Sequence, residues 1–194
     1  MHNDLHTLFA AIDQAFKTVS QVHPEAINCQ KGCADCCQAV FDVSLVEAAN
    51  LLAQVQQQAP GVQERIVGAA REARQGWEQM IASHLDPGMA RIRCPLLDDA
   101  GCCLCYEARP VNCRTYGIPT EIDGKGHVCG LSRFEPGKSY PTVKLAPLQR
   151  ILRDLSVHLA GEEMGAGRWP IAAVILEQQV FKVFVASFTP AAEK

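Results

Sequence analysis

The 194-residue sequence lacks the motifs of several large enzyme classes. It contains neither of the glycine-rich phosphate-binding patterns, GxGxxG and GxxxxGKS/T, and no HExxH zinc-protease motif. Its net charge is −3, so composition indicates no basic surface for nucleic acid or for an anionic membrane. The longest apolar run, Ile171 to Leu176, is far shorter than the roughly 18 residues that a membrane span needs. We therefore expect neither a nucleic acid nor a membrane as a partner.

The N-terminus also lacks the marks of a secretion signal. Residues Met1 to His6 contain no lysine or arginine, and no apolar segment with a cleavage site follows them. We therefore expect a cytoplasmic protein whose thiols stay reduced. In that compartment, closely spaced cysteines are typical of metal ligands or catalytic thiols, whereas a disulfide-rich domain is typical of secreted chains.

Cysteine is the residue that the sequence has in excess. All ten cysteines lie between residues 29 and 129, and the first 28 and last 65 residues contain none. Cysteines that only fill a core would be spread more evenly, so this clustering predicts a site. Cys33 and Cys36 have the CxxC spacing, in which a tight turn directs two sulfurs at one metal ion. A second cysteine-rich segment begins at Cys94.

Apolar periodicity predicts a mainly α-helical fold around a cysteine-rich, loop-rich region. Helices are predicted over residues 4–21, from a capping box at Ser44 and Glu47 to about residue 60, over 62–84, over 147–160, and from Ile171 onward. Residues Val180 to Val185 fit a helix or a strand, and we favour a helix. Residues 90–143 hold six cysteines and are predicted to be loop-rich, with a hairpin turn at Asp123–Gly124.

Length and pattern together predict a single domain, residues 1–194. We divide it into an N-terminal helix (1–28), a cysteine-cluster region with two inserted helices (29–130), and C-terminal helices (131–194). A loop-rich stretch as long as 90–143 needs a source of order besides a packed core, and metal coordination would supply one.

The cysteine segments together form a distinctive string. They read Cys-x3-Cys-x2-Cys-Cys from Cys29, Cys-Pro-Leu-Leu from Cys94, and Gly-Cys-Cys-x-x-Tyr-Glu-x-Arg-Pro-x-x-Cys-Arg from Gly101. This string resembles the YkgJ-type cysteine-cluster family, a group of bacterial domains described as zinc- or iron-chelating. Similar domains occur alone in bacteria and within flagellin lysine methylases. The resemblance covers about residues 29–130.

The resemblance implies a set of eight metal ligands. These are Cys29, Cys33, Cys36, Cys37, Cys94, Cys103, Cys113 and Cys129. Cys102 and Cys105 stand where the family usually has other residues, so no ligand role is assigned to them.

The donor set leaves two metal chemistries open. Eight thiolates suffice for two zinc sites of four cysteines each, or for one or two iron–sulfur clusters. Side chains at adjacent positions diverge, so Cys36 and Cys37 can hardly bind the same tetrahedral ion. A cubane cluster has iron atoms at separate corners and tolerates this geometry better. We therefore favour a 4Fe-4S cluster and keep zinc as the alternative. His127 is a further candidate ligand, although a lone loop histidine is more often solvated.

A metal centre with four thiolates carries net negative charge and needs N–H donors and cations nearby. Arg109 and Arg114 lie within the second segment, and we predict that they donate to the sulfurs or to a carbonyl that braces the loop. The alternative is that they are surface residues or pair with Glu107 and Asp98.

We favour a non-enzymatic metal-binding protein with a structural, electron-transfer or metal-handling role, with a protein as a further partner. One alternative is a structural zinc protein that acts as an interaction module. Another is a metal- or cluster-dependent enzyme, such as a protein-modifying methyltransferase. The spacing CxxxCxxC from Cys29 also occurs in radical-SAM enzymes, but those need a βα barrel that the helical pattern does not support.

Overall fold

The structure, a computed structural model, describes residues 2–188 of the chain and is mainly α-helical, as the sequence predicts. The helices are α1 (His2–Val22), α2 (Leu45–Gln56), α3 (Pro60–Ala82), α4 (Val111–Thr115), α5 (Leu145–Gly165), α6 (Ile171–Leu176) and α7 (Gln178–Val185). The strands are β1 (Asp42–Ser44), β2 (Thr120–Ile122), β3 (Lys125–His127), β4 (Val143–Lys144) and β5 (Arg168–Pro170).

Helix α2 lies at the centre of the main hydrophobic core. Nearly all of its residues are buried, and it packs against α5, α6 and α7, while α3 packs against α6. A helix that is buried on nearly all sides depends on the surrounding elements for its stability. Helix α1 buries one apolar stripe, formed by Leu5, Phe9, Ile12 and Val19, and packs against the short helix α4. None of the helices in residues 2–188 combines the length and apolar character needed to cross a bilayer.

Two small sheets join distant parts of the chain. Strands β1 and β5 pair antiparallel, so the segment just before α2 is bonded to the segment just before α6. Strand β2 pairs antiparallel with β3 and parallel with β4. The hairpin between β2 and β3 turns at Asp123 and Gly124, both with positive φ, which confirms the turn predicted there.

The predicted helices are confirmed, although several begin or end at other residues than the sequence predicts. The helix expected over 62–84 begins at Pro60, and the ambiguous stretch Val180–Val185 is helical in α7. The helix predicted over 147–160 continues to Gly165, although Gly161 has φ 77° and ψ 172° and marks a kink inside it. The strands β1 and β5 were not predicted, because three-residue strands are too short to show a period-2 pattern.

A buried carboxylate connects the start of α2 to the start of α4. Glu47 is 1% exposed, and its Oε2 accepts hydrogen bonds from the Ser44 backbone N–H at 2.9 Å and the Ser44 hydroxyl at 2.8 Å. This is the predicted capping box. The second oxygen, Oε1, accepts a bond from the backbone N–H of Val111 at 2.8 Å. Glu47 thus holds the helix that carries Cys113 against the central helix.

We expect the substitution Glu47→Ala to lower the free energy of unfolding by about 3 kcal/mol, because it leaves two buried backbone donors without an acceptor. Chemical denaturation of the full chain measures this value. Glu64→Ala, at an exposed position on α3, is the matched control and should change stability by no more than about 0.5 kcal/mol. Equal effects of the two substitutions would contradict the role given to Glu47.

Candidate metal centre

The first cysteine segment consists of two consecutive turns. The Cys33 backbone N–H donates to the Gln30 carbonyl at 2.9 Å, and Gly32 provides the positive φ of 89° within this turn. A 3₁₀ turn over Asp35–Cys37 follows at once. The cysteines at 33, 36 and 37 therefore lie on a tightly curved backbone, and the thiols of Cys36 and Cys37 are hydrogen-bonded to each other rather than diverging as the sequence predicts.

Backbone hydrogen bonds bring the two cysteine segments together. The Cys94 N–H donates to the Cys37 carbonyl at 2.7 Å, and the Ile92 N–H donates to the Gln38 carbonyl at 3.0 Å. Ala39 and Arg91 form an antiparallel bridge beside them. Helices α2 and α3 separate these segments in sequence, but the segments are neighbours in the fold.

The second segment folds back on itself. Leu97 and Cys103 form an isolated antiparallel bridge, and the Leu104 N–H donates to the Leu96 carbonyl at 2.8 Å. The Asp98 carboxylate caps the turn by accepting the Cys102 N–H at 2.7 Å. This fold-back holds Cys103 close to Cys94.

Cys129 lies in a third part of the chain, just after β3. The Arg133 N–H donates to the Ala26 carbonyl at 2.9 Å, and the Asn28 side chain donates to the Leu131 carbonyl. These bonds fix the stretch around Cys129 beside the start of the first cysteine segment. The Cys129 thiol itself donates to Asp35 Oδ2 at 3.3 Å.

A cavity of about 700 Å³ lies where the segments meet, and all ten cysteines line it. The eight predicted ligands are therefore brought together, and every cysteine is a free thiol. Apolar side chains such as Leu51 and Trp77 complete the wall. No three histidine, cysteine, aspartate or glutamate side chains within residues 2–188 already form a group that could hold one ion.

The two cysteines without a predicted role differ in their surroundings. Cys105 is 1% exposed and packs in the main core. Cys102 is half-buried, and its sulfur lies 3.9 Å from the Ala100 carbonyl oxygen. His127, which the sequence offers as a further candidate metal ligand, is exposed in β3 and does not line the cavity.

Backbone amides are already directed at several sulfurs. The Leu131 N–H donates to the Cys129 sulfur at 3.4 Å. The Leu96 and Cys105 amides interact in the same way with the sulfurs of Cys94 and Cys103, again two residues after the cysteine. N–H donors at such positions stabilise thiolate charge, so this backbone suits metal-bound cysteine.

Several of the thiols resist ionisation on their own. Burial raises the pKa of Cys29 to about 11, with further increases from the neighbouring Cys33 and Cys129. Burial also raises the pKa of Cys94 and of Cys105 to about 12. Cys36 is the exception, because hydrogen bonds with the Cys113 and Cys37 thiols lower its pKa. A bound cation would offset the repulsion among several thiolates in this space.

Arg114 braces the loop through carbonyl groups. It is 5% exposed, its Nε donates to the Arg109 carbonyl at 2.8 Å, and it also donates to the Glu107 carbonyl. Its Nη1 forms an ion pair with Asp13 at 2.5 Å, and its guanidinium lies over the Phe9 ring at 4.2 Å. Arg114 therefore ties α1 to the second cysteine segment.

Arg109 faces the thiols more directly. Its guanidinium stacks on the Tyr106 ring at 3.6 Å, and its Nε donates to the Tyr106 carbonyl at 3.0 Å. Its positive charge helps to lower the pKa of Cys36 and partly offsets the increase that burial causes in the pKa of Cys29 and of Cys103. Arg109 is thus a cation at the wall of the cavity.

The sequence did not identify two features of this wall. The Asp35 side chain is only 12% exposed, forms an ion pair with Arg91, and accepts hydrogen bonds from Cys129 and Tyr116. Gly117 packs directly against Cys29, and a Cβ atom at position 117 would lie 2.2 Å from the Cys29 sulfur. Both contacts join residues far apart in sequence, so neither leaves a local signal.

We expect Gly117→Ala to weaken metal binding by roughly 10- to 100-fold, because the added methyl group would displace the Cys29 sulfur. Titration of the metal-free full chain with Co²⁺ measures the affinity. Gly126→Ala is the matched control, since a Cβ there meets no atom within 4 Å. Unchanged Co²⁺ affinity in Gly117→Ala would show that the position of Cys29 is unimportant.

Metal affinity should increase with pH. Cys29 and Cys94, with pKa values raised to about 11 and about 12, are neutral near pH 7, so each must release a proton to bind as thiolate. The apparent Co²⁺ affinity should therefore rise roughly tenfold per pH unit for each released proton. A titration series between about pH 6 and 8 tests this expectation, and a pH-independent affinity would contradict it.

Comparison with protein families gives one match, and it covers this site. A search of curated proteins found no match to the chain, and a search of solved structures found none either. The model of the CxxCxxCC family, described as a candidate zinc- or iron-chelating domain, matches residues 28–130, which is more than half of the chain. The matched region contains every cysteine that lines the cavity. The chain therefore belongs to the CxxCxxCC family of cysteine-rich, metal-chelating domains.

Proposed function

We propose that the chain holds an iron–sulfur cluster of the 4Fe-4S type and serves a structural, electron-transfer or metal-handling role. The observation that carries the proposal is that one cavity of about 700 Å³ is lined by ten thiols from two cysteine segments. A single tetrahedral ion needs four donors that converge closely, whereas a cluster presents several iron atoms to donors on different walls. An iron–sulfur cluster, when bound, supplies one-electron redox chemistry.

The proposal draws the ligands from the eight cysteines at positions 29, 33, 36, 37, 94, 103, 113 and 129, of which one 4Fe-4S cluster uses four. Amides directed at Cys94, Cys103 and Cys129 would stabilise the bound sulfurs. The Arg109 charge would partly offset the negative charge of the centre, and Arg114 would hold the loop that carries Arg109 in place. In this proposal the chain acts as a single domain, residues 1–194, in the reducing cytoplasm.

Metal and sulfide analysis after anaerobic purification tests the proposal. We expect a brown protein that contains iron and acid-labile sulfide in similar amounts and little zinc. Cys94→Ser should lose most of the iron and sulfide, whereas Cys102→Ser, whose side chain has no assigned ligand role, should keep both.

A colourless protein that contains zinc and no sulfide would contradict the iron–sulfur proposal and would favour a structural zinc protein. Methyl transfer from S-adenosylmethionine to a protein substrate would instead favour the enzymatic alternative.

A further inference from the structure

The cavity that the cysteines line also has a wall that contains no cysteine. Helices α2, α3 and α6 contribute five apolar side chains to it, which we call the helical wall: Leu51, Ala73, Trp77, Ile171 and Ala172. Leu51, Ala73 and Ala172 are 1%, 5% and 2% exposed, so this wall lies inside the protein and is not a surface patch.

Metal coordination does not account for the helical wall. None of its side chains can ligate a metal ion, because protein ligands are thiolates, imidazoles, and the oxygen atoms of carboxylates or carbonyls. The eight candidate ligands all lie outside α2, α3 and α6, and one 4Fe-4S cluster uses four of them. The helical wall therefore borders space that the metal centre does not need for its ligands.

The charged side chains of the cavity come from other parts of the chain. Within residues 2–188, the charged residues that line it are Asp13, Lys31, Asp35, Arg93, Arg109 and Arg114. None of these six belongs to α2, α3 or α6. A charged molecule at the helical wall would lose its hydration without gaining a charged partner from these helices. The wall therefore fits an uncharged molecule.

Contacts that involve no thiol hold the helical wall in shape. Helix α6 packs against both α2 and α3. A Cβ atom at Gly76 would lie 3.2 Å from the Ile92 side chain, so α3 closely approaches the segment just before Cys94. Ile92 also lines the cavity, and its N–H is bonded to the Gln38 carbonyl at 3.0 Å. The space beside the wall is therefore preformed, and a ligand would not have to order it.

We propose that the helical wall forms a binding site for a small uncharged aromatic molecule beside the metal centre. The cavity volume of about 700 Å³ lies within the range of roughly 300–1,000 Å³ that is typical of small-molecule sites. Apolar cavities hold water poorly and take up small aromatic molecules, and Trp77 offers a ring for stacking or edge contact. The proposal goes beyond the proposed function, because it assigns a second occupant to the cavity whichever metal is bound.

Equilibrium dialysis of the purified, metal-containing protein against N-phenyl-1-naphthylamine, an uncharged aromatic probe, tests the proposal. We expect saturable binding of one probe molecule per chain. Ala73→Leu fills the space at the helical wall, so it should weaken probe binding roughly tenfold or more and leave the metal content unchanged. Ala82→Leu, at an exposed position of the same helix, is the matched control and should bind the probe as the unmodified chain does.

The absence of saturable probe binding to the unmodified chain would overturn the proposal. Equal probe affinity in an Ala73→Leu variant that keeps its helical circular dichroism spectrum would overturn it as well. Loss of the metal from that folded variant would also count against the proposal, because the metal centre itself would then occupy the space at the helical wall.

The two tryptophans provide a test in the unmodified chain if Ala73→Leu fails to fold. Trp77 lines the cavity, whereas the Trp169 ring packs against Phe181 at 5.3 Å and does not line it. In protein labelled with 5-fluorotryptophan, the ¹⁹F NMR signal of Trp77 should shift when N-phenyl-1-naphthylamine binds, and that of Trp169 should not. A shift of the Trp169 signal alone, or of neither signal, would overturn the proposal. Zinc without sulfide in the purified protein would reject the iron–sulfur cluster alone, since the probe site does not depend on which metal is bound.

Discussion

The candidate site depends on the contact between the backbones of the two cysteine segments. The bond from the Cys94 N–H to the Cys37 carbonyl, with its neighbour from Ile92 to Gln38, is the point at which these segments become one structure. A backbone pairing fixes the direction of the side chains on both strands, which individual side-chain contacts cannot do. The fold-back at Leu97 and Cys103 then extends the same arrangement to the next cysteine.

Helices α1 and α2 hold the second cysteine segment in place. Helix α2 is surrounded by other elements, and its buried Glu47 reaches across to α4. Helix α1 reaches the same loop through the ion pair between Asp13 and Arg114. Two helices therefore fix the short segment from Arg109 to Arg114. The segment that carries Cys113 is ordered by charged groups as well as by apolar packing.

The predictable parts of the structure are those with local causes. The capping box at Ser44, the apolar stripe of α1 and the turn at Asp123–Gly124 each depend on residues a few positions apart, and all three are present. The cysteine count and the family resemblance indicated a shared site, and the cavity brings those cysteines together. The contacts of Gly117 with Cys29 and of Asp35 with Cys129 join residues about 90 positions apart in sequence. Sequence periodicity carries no information about such pairs, so only the fold reveals them.

The bond between Arg133 and Ala26 encloses all ten cysteines in a single long loop of the chain. Closing a loop of that length costs conformational entropy, which grows only slowly with each added residue. A metal ion that binds cysteines from both ends of this loop stabilises the closed, folded arrangement, because its ligands are brought together only in the folded chain. The reducing agents that break disulfides leave thiolate–metal bonds intact. The cysteines of this chain form no disulfides with one another, so a bound metal would supply the restraint that disulfides supply in other proteins.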